Sequence, residues 1–147
     1  MDSKSDQAVA CFNSGFNCSQ SVFSTYCEQL GMDKETGLKL SCAFGGGMGH
    51  IGETCGAVTG ALMLIGLKYG KFEVEDLESK EITYNMVHEF ATRFKAINGS
   101  VRCKDLLTVD IGVPEELQLA RDRNLFKTLC PKYIKDAVVL IEEMLEL

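Results

Sequence analysis

The chain has 147 residues, with 21 acidic and 15 basic side chains and a formal net charge of −6 at pH 7. This length suits one domain whose core is large enough to fold without disulfides or a structural metal. The acidic balance, with no local cluster of Lys and Arg, argues against a nucleic-acid-binding protein.

Apolar residues recur at helical spacing along the chain, and Pro114 and Pro131 are its only prolines. No run of residues resembles a strand ladder, a linker or a repeat. The predicted helices, in chain order, cover residues 8–12 before Gly15, 18–30 before Gly31, 34–42 after the cap Asp33, 55–69, 82–94 before Gly99, a short turn after Ser100, a segment opened by Pro114, and a last segment opened by Pro131. We therefore expect residues 1–147 to form a single all-α domain, a bundle of six to eight helices, several of them short.

The predicted location is the cytoplasm. Residues 1–6 are polar and lack the apolar core of a signal peptide. The most apolar run, residues 57–67, is shorter than the roughly 20 residues of a membrane-spanning helix. Because that compartment is reducing, an odd set of seven cysteines argues against a structural disulfide framework. Metal binding, redox chemistry and ordinary burial remain as explanations.

Position within the predicted helices divides the cysteines. Four lie in a cap or first turn, where free backbone N–H groups and the helix dipole favour a thiolate. These four are Cys18 after the cap Asn17, Cys55 after the cap Thr54, Cys103 three residues after the cap Ser100, and Cys130 immediately before Pro131. The dipole alone shifts a pKa by less than about one unit, so an activated thiol needs a second contribution.

The remaining cysteines have plainer interpretations. Cys11 and Cys27 lie mid-helix among apolar neighbours and are predicted to be buried and unreactive. Cys42, near the end of its helix, has no clear assignment.

Alternating helix directions predict where the cysteines at helix starts come together. Short connections favour antiparallel neighbours, which would bring Cys18, Cys55 and Cys103 to the same end of the bundle. His50, five residues before Cys55, would share that end as a ligand, a proton acceptor or a solvated loop residue. Cys130 follows an irregular stretch and cannot be placed in this way.

The helix after Cys55 has one face with almost no side chains. Gly56 and Gly60 lie four residues apart, and each glycine costs a helix about 1 kcal/mol relative to alanine. Their presence predicts that another backbone approaches this face closely, and a backbone carrying a second cysteine is one candidate.

These residues resemble a known family. The match consists of Cys18 in Asn17-Cys18-Ser19-Gln20, the CGAxxG run from Cys55 to Gly60, and the single cysteines Cys103 and Cys130, with Gly46-Gly47-Met48 upstream. They are similar to the four-cysteine CGAxxG (C_GCAxxG_C_C) family of redox-active proteins over nearly the whole chain. The resemblance implies that these four cysteines carry a redox function, with an oxidoreductase or transporter system as the associated partner. It implies no defined reaction or substrate.

Three functions remain open at this point. The first is thiol–disulfide exchange or electron transfer with a partner protein, an activity like that of a thiol–disulfide oxidoreductase, using Cys18, Cys55, Cys103 and Cys130. The second is a zinc or iron–sulfur site held by the same four cysteines, with His50 as a less favoured ligand. The third is a helical interaction module without catalysis.

For the redox function we expect at least one reversible disulfide among the four cysteines. Its potential should exceed that of a structural bridge, because helix-start thiolates would stabilise the reduced form. Cys55 is the predicted attacking sulfur, because its glycine-flanked helix should shield it least. Neither a cofactor nor an oligomeric state is fixed by the sequence.

Overall fold

The computed structural model describes residues 3–147. Its helical segments are α1 (Lys4–Asn13), α2 (Cys18–Phe23), α3 (Lys34–Cys42), α4 (Gly45–Met48), α5 (Gly56–Tyr69), α6 (Leu77–Asn98), α7 (Cys103–Leu107), α8 (Pro114–Asp122) and α9 (Leu125–Leu145). In α4, Gly46, Gly47 and Met48 all have left-handed backbone angles, so this segment is a single left-handed turn. The other eight segments are right-handed helices, and no strand forms within the described residues. The predicted all-α bundle is confirmed.

Helix α5 lies at the centre of the bundle, packed against α2, α6 and α9. Its sequence is apolar on every side, as expected for a helix surrounded by others. Helix α9 also packs against α1 and α6, and the short helices α7 and α8 lie against it. The buried hydrophobic residues form one continuous cluster.

Helix α2 begins where the sequence predicts and ends early. The Asn17 side chain accepts a hydrogen bond from the Gln20 N–H, and the Gln20 side chain accepts one from the Asn17 N–H, each at 3.0 Å. This reciprocal capping box confirms Asn17 as the cap. The predicted continuation to residue 30 is wrong, because α2 ends at Phe23 and turns follow. There the Thr25 hydroxyl donates to the Val22 carbonyl, a local bond that competes with the helix.

Two other predicted helix starts need small corrections. The cap of α5 is Cys55 itself rather than Thr54, and the cap of α7 is Arg102 rather than Ser100. The Ser100 hydroxyl instead accepts from the Arg102 N–H and donates to the Asp105 carboxylate. Cys103 is therefore the first residue of its helix, and the predicted position of this sulfur at a helix start stands.

The predicted start of the last helix is wrong. Helix α9 begins at Leu125 and carries Pro131 in its interior, so Cys130 lies inside the helix rather than at its start. An interior proline costs a helix about 3 kcal/mol. Leu125, Phe126 and Leu129 pack against the buried core, and this packing extends the helix upstream of the proline.

No helix within residues 3–147 combines the length and the apolar character needed to cross a membrane.

Candidate active site

All four predicted site cysteines line one cavity of about 280 Å³. The side chains of Cys18, Cys55, Cys103 and Cys130 are each 5–8% exposed. The predicted gathering of Cys18, Cys55 and Cys103 is therefore observed, and Cys130, which the sequence could not place, joins them. Cys55 is the least exposed of the four, so the expectation that it is the least shielded sulfur is wrong.

The glycine face of α5 brings Cys18 to this cavity. A Cβ atom at Gly56 would lie 3.0 Å from the Cys18 Cβ, and one at Gly60 would lie 2.8 Å from the Ser19 carbonyl oxygen. The distance at Gly60 is one that real Cβ atoms essentially never show, and the distance at Gly56 is tighter than nine in ten real Cβ contacts. The close approach of α2 therefore depends on these two glycines. The prediction that a backbone carrying a second cysteine packs on this face is confirmed.

Backbone hydrogen bonds hold Cys55 and Cys103 side by side. The Cys55 N–H donates to the Val101 carbonyl at 2.8 Å, and the Cys103 N–H donates to the Glu53 carbonyl at 2.6 Å. These two bonds form an isolated antiparallel bridge between Thr54 and Arg102. The cap of α5 and the first residue of α7, which are distant in sequence, are thus joined.

The left-handed turn α4 closes over Cys103. A Cβ atom at Gly47 would lie 2.8 Å from the Cys103 Cβ and 2.7 Å from the Glu53 nitrogen. Gly47 also has φ +66, a backbone conformation that L side chains rarely adopt. Position 47 therefore requires glycine on two independent grounds.

Helix α9 supplies Cys130 together with two aromatic residues that sequence reasoning missed. Phe126 and Tyr133 lie four residues before and three residues after Cys130, so all three share one helix face and all three line the cavity. The Tyr133 hydroxyl donates to the Leu106 carbonyl at 2.9 Å and connects α9 to α7. The i−4 and i+3 spacing around Cys130 is the sequence signal that could have identified them.

His50 also lines the cavity, as its predicted position near Cys55 suggested. Its ring stacks on Phe126, with ring centres 6.3 Å apart. His50 has φ +67, so its imidazole reaches the cavity from a backbone conformation that is uncommon for a residue with a side chain.

The ionisation of the cavity cysteines runs against the sequence expectation. Burial raises the pKa of Cys55 to about 12, although the N–H groups of Ala57 and Val58 favour its thiolate. Burial, together with the charges of Cys55 and Cys130, raises the pKa of Cys103 to about 12. A side-chain hydrogen bond with Cys130, followed by burial, raises the pKa of Cys18 well above its usual value. Desolvation thus outweighs the helix dipole at Cys55 and Cys103, and at Cys18 the hydrogen bond with Cys130 and desolvation do so together.

The other three cysteines lie apart from the cavity. Cys27 is fully buried, as predicted. Cys11 is only partly buried, so the prediction for this residue holds in part, and Cys42 is exposed.

Within residues 3–147, no three His, Cys, Asp or Glu side chains are arranged so that they could hold a metal ion. The four cavity sulfurs are the chemically suitable set for zinc or an iron–sulfur cluster.

Comparison with known proteins places this geometry in a family. A family model with the description "Putative redox-active protein (C_GCAxxG_C_C)" matches residues 16–144. The chain belongs to this family. The match spans all four cavity cysteines and the run from Cys55 to Gly60, so the C_GCAxxG_C_C description supports a broad redox role. No curated protein and no solved structure matches the chain significantly.

Proposed function

We propose that this protein is a dithiol–disulfide redox protein and that Cys18 and Cys130 are its exchanging pair. The observation that carries the proposal is that four of the seven cysteines line one cavity. Among these four, a side-chain hydrogen bond with Cys130 is the largest cause of the raised pKa of Cys18. Cysteines that share one cavity need less backbone movement to form a bridge than cysteines in separate parts of a fold. The redox description of the family supports the same chemistry.

The reaction consumes two thiols and one external disulfide. One cavity sulfur loses its proton and attacks a sulfur of the external disulfide, which forms a mixed disulfide and releases one thiol. The second cavity sulfur then attacks the mixed bond, forms the Cys18–Cys130 disulfide and releases the second thiol. Two electrons pass to the external disulfide, and the two cysteine protons end on the two released thiols.

Burial changes the potential expected from the sequence. A high potential requires a reduced form that is stabilised by ionisation. Since the hydrogen bond with Cys130 and burial raise the pKa of Cys18, and burial raises the pKa of Cys55, that stabilisation is missing at these two sulfurs. We therefore propose a couple whose potential is not raised by thiolate formation. The protein partner implied by the family resemblance stays a prediction.

The test is equilibration of the reduced protein in oxygen-free buffers of reduced and oxidised dithiothreitol, followed by acid trapping and peptide mass mapping. We expect a reversible bridge between Cys18 and Cys130, which Cys18→Ser and Cys130→Ser each abolish. Cys42→Ser is the matched control, because this cysteine is exposed and lies outside the cavity. The absence of any bridge among the four cysteines at every ratio, with stoichiometric zinc or iron in the purified protein, would replace this proposal with the metal-site function.

A further inference from the structure

The cavity cysteines are accessible only from the cavity side. Each is at most 8% exposed, whereas Phe16 is 39% exposed, and both His50 and Arg121 are exposed. All of these residues line the same cavity. The exposed residues therefore mark its mouth, and the cysteines lie on its floor. An external disulfide must enter the cavity before it can react with them.

The cavity volume limits what can enter. About 280 Å³ lies just below the lower end of the range for small-molecule sites. A sulfur must approach the disulfide closely and in line with the S–S bond, so the reacting bond has to reach the floor. A disulfide embedded in the surface of a folded partner cannot do so without unfolding locally. A small molecule can.

The charge of the lining is opposite to that of the chain as a whole. The chain carries 21 acidic and 15 basic residues, yet the residues around the cavity include Arg121 and no aspartate or glutamate. Among residues 3–147, the Arg121 guanidinium has no hydrogen-bond or ion-pair partner. An unpaired cation at the mouth of an otherwise mainly apolar cavity favours a ligand with a negative charge and a small apolar body.

We propose that the substrate of this cavity is a small organic disulfide that carries a carboxylate or another acidic group. This inference rests on the proposed dithiol function. The acidic group pairs with Arg121 at the mouth, the body of the molecule lies against the rings of Phe126 and His50, and its disulfide reaches the cysteines on the floor. Oxidation of Cys18 and Cys130 to a disulfide reduces the substrate to two small thiols, which take up the two cysteine protons.

Three small disulfides of similar size test the charge preference. Dithiodiglycolate is anionic, bis(2-hydroxyethyl) disulfide is neutral and cystamine is cationic. Each is mixed with the reduced protein, and the rate of Cys18–Cys130 bridge formation is measured by acid trapping and peptide mass. A free small thiol, 2-mercaptoethanol, supplies the intrinsic rate ratio of the three reagents. Relative to that reference, we expect the protein to favour dithiodiglycolate over cystamine by about fivefold, which corresponds to the upper end of the range for one exposed ion pair.

Arg121→Gln should remove this preference, because the acidic group of dithiodiglycolate then has no cation to pair with at the mouth. Arg123→Gln is the matched control, because Arg123 is exposed and close in sequence but does not line the cavity. A charge preference equal to that of 2-mercaptoethanol, or one that survives Arg121→Gln, would overturn the inference.

Oxidised thioredoxin serves as the folded disulfide reactant. We expect it to oxidise the cavity pair more slowly than dithiodiglycolate at equal concentration, and a faster reaction would favour a protein substrate instead. Neither the absence of the charge preference nor a faster reaction with thioredoxin would change the reversible Cys18–Cys130 bridge measured in the dithiothreitol equilibrium. A failure of that equilibrium would instead reject the dithiol function itself.

Discussion

The two halves of α5 contain glycines with opposite surroundings. A Cβ atom at Gly60 would lie 2.8 Å from the Ser19 carbonyl oxygen and 3.0 Å from the Val22 Cβ, whereas a Cβ atom at Gly66 would meet nothing within 4 Å. Both glycines cost the helix about the same in backbone entropy. Only in the first half is that cost offset, by the close approach of α2 that places Cys18 at the cavity. The comparison shows that a glycine in a helix indicates a site only when its face is occupied.

The largest expected effect comes from filling the occupied face. Gly60→Val should destabilise the protein by about 3 kcal/mol, because the side chain would push against the backbone of α2, which cannot move aside as a flexible side chain can. The same displacement should separate Cys18 from Cys130 and reduce the yield of their bridge. Chemical denaturation and peptide mapping measure the two effects. Gly66→Val is the matched control, and equal losses in both variants would remove the distinction between the two halves.

The cysteines at the start of α5 and α7 predict a loss of stability at high pH. The pKa values of Cys55 and Cys103 are about 12 in the folded protein, against an ordinary value of 9.0. Above pH 9 the unfolded chain releases these protons while the folded chain retains them. The free energy of unfolding should therefore fall by about 1.4 kcal/mol per pH unit for each thiol between pH 9 and pH 12.

Urea unfolding of the reduced protein at pH 8, 9 and 10 measures this slope. Other groups also titrate in this range, so the slope of the wild type is compared with that of Cys103→Ser, which should be shallower by one thiol. Cys42→Ser should keep the wild-type slope because Cys42 is exposed. Identical slopes in all three proteins would show that burial does not hold the cavity thiols protonated.

In the open half of α5, an alanine should improve stability. Gly66→Ala adds a Cβ atom that meets no neighbour and removes the entropic cost of glycine, so we expect a gain of up to about 1 kcal/mol. The bridge between Cys18 and Cys130 should form as in the wild type. A thermal unfolding scan tests this expectation, and a lower melting temperature would mean that the open face is occupied in solution. Gly60→Ala, on the occupied face, should destabilise the protein under the same conditions.

The smallest effect on the free energy of unfolding is expected from a substitution at Glu53, immediately before α5. The Glu53 carboxylate forms ion pairs with Arg102 at 3.4 Å and with Lys104 at 3.2 Å, and all three side chains are partly exposed. Exposed pairs contribute about 1 kcal/mol or less. Glu53→Gln should therefore change the unfolding free energy by no more than this and leave cysteine alkylation rates unchanged, since backbone hydrogen bonds hold Cys55 beside Cys103. A large change in those rates would assign the positioning of the cysteines to the ion pairs.

Several features of the site could be predicted from local sequence signals. The cap at Asn17, the glycine face at Gly56 and Gly60, and the helix starts at Cys18 and Cys103 depend on interactions within a few residues or on the cost of glycine in a helix. Helical periodicity was also sufficient to predict the all-α class. Because these signals are local, they can be interpreted without knowledge of the fold.

Tertiary packing decided the rest. Cys130 lies inside α9 because the residues before Pro131 pack against the core, and this gain outweighs the local cost of an interior proline. The ionisation of the thiols was predicted in the wrong direction because the helix dipole can be read from sequence, whereas burial depends on every element that surrounds the cavity. Arg121, Phe126 and Tyr133 belong to the cavity because the bundle packs α9 against α2, α5 and α7, and α8 against α9. Desolvation and long-range contacts depend on many residues that are distant in the chain, so they cannot be predicted from a local sequence pattern.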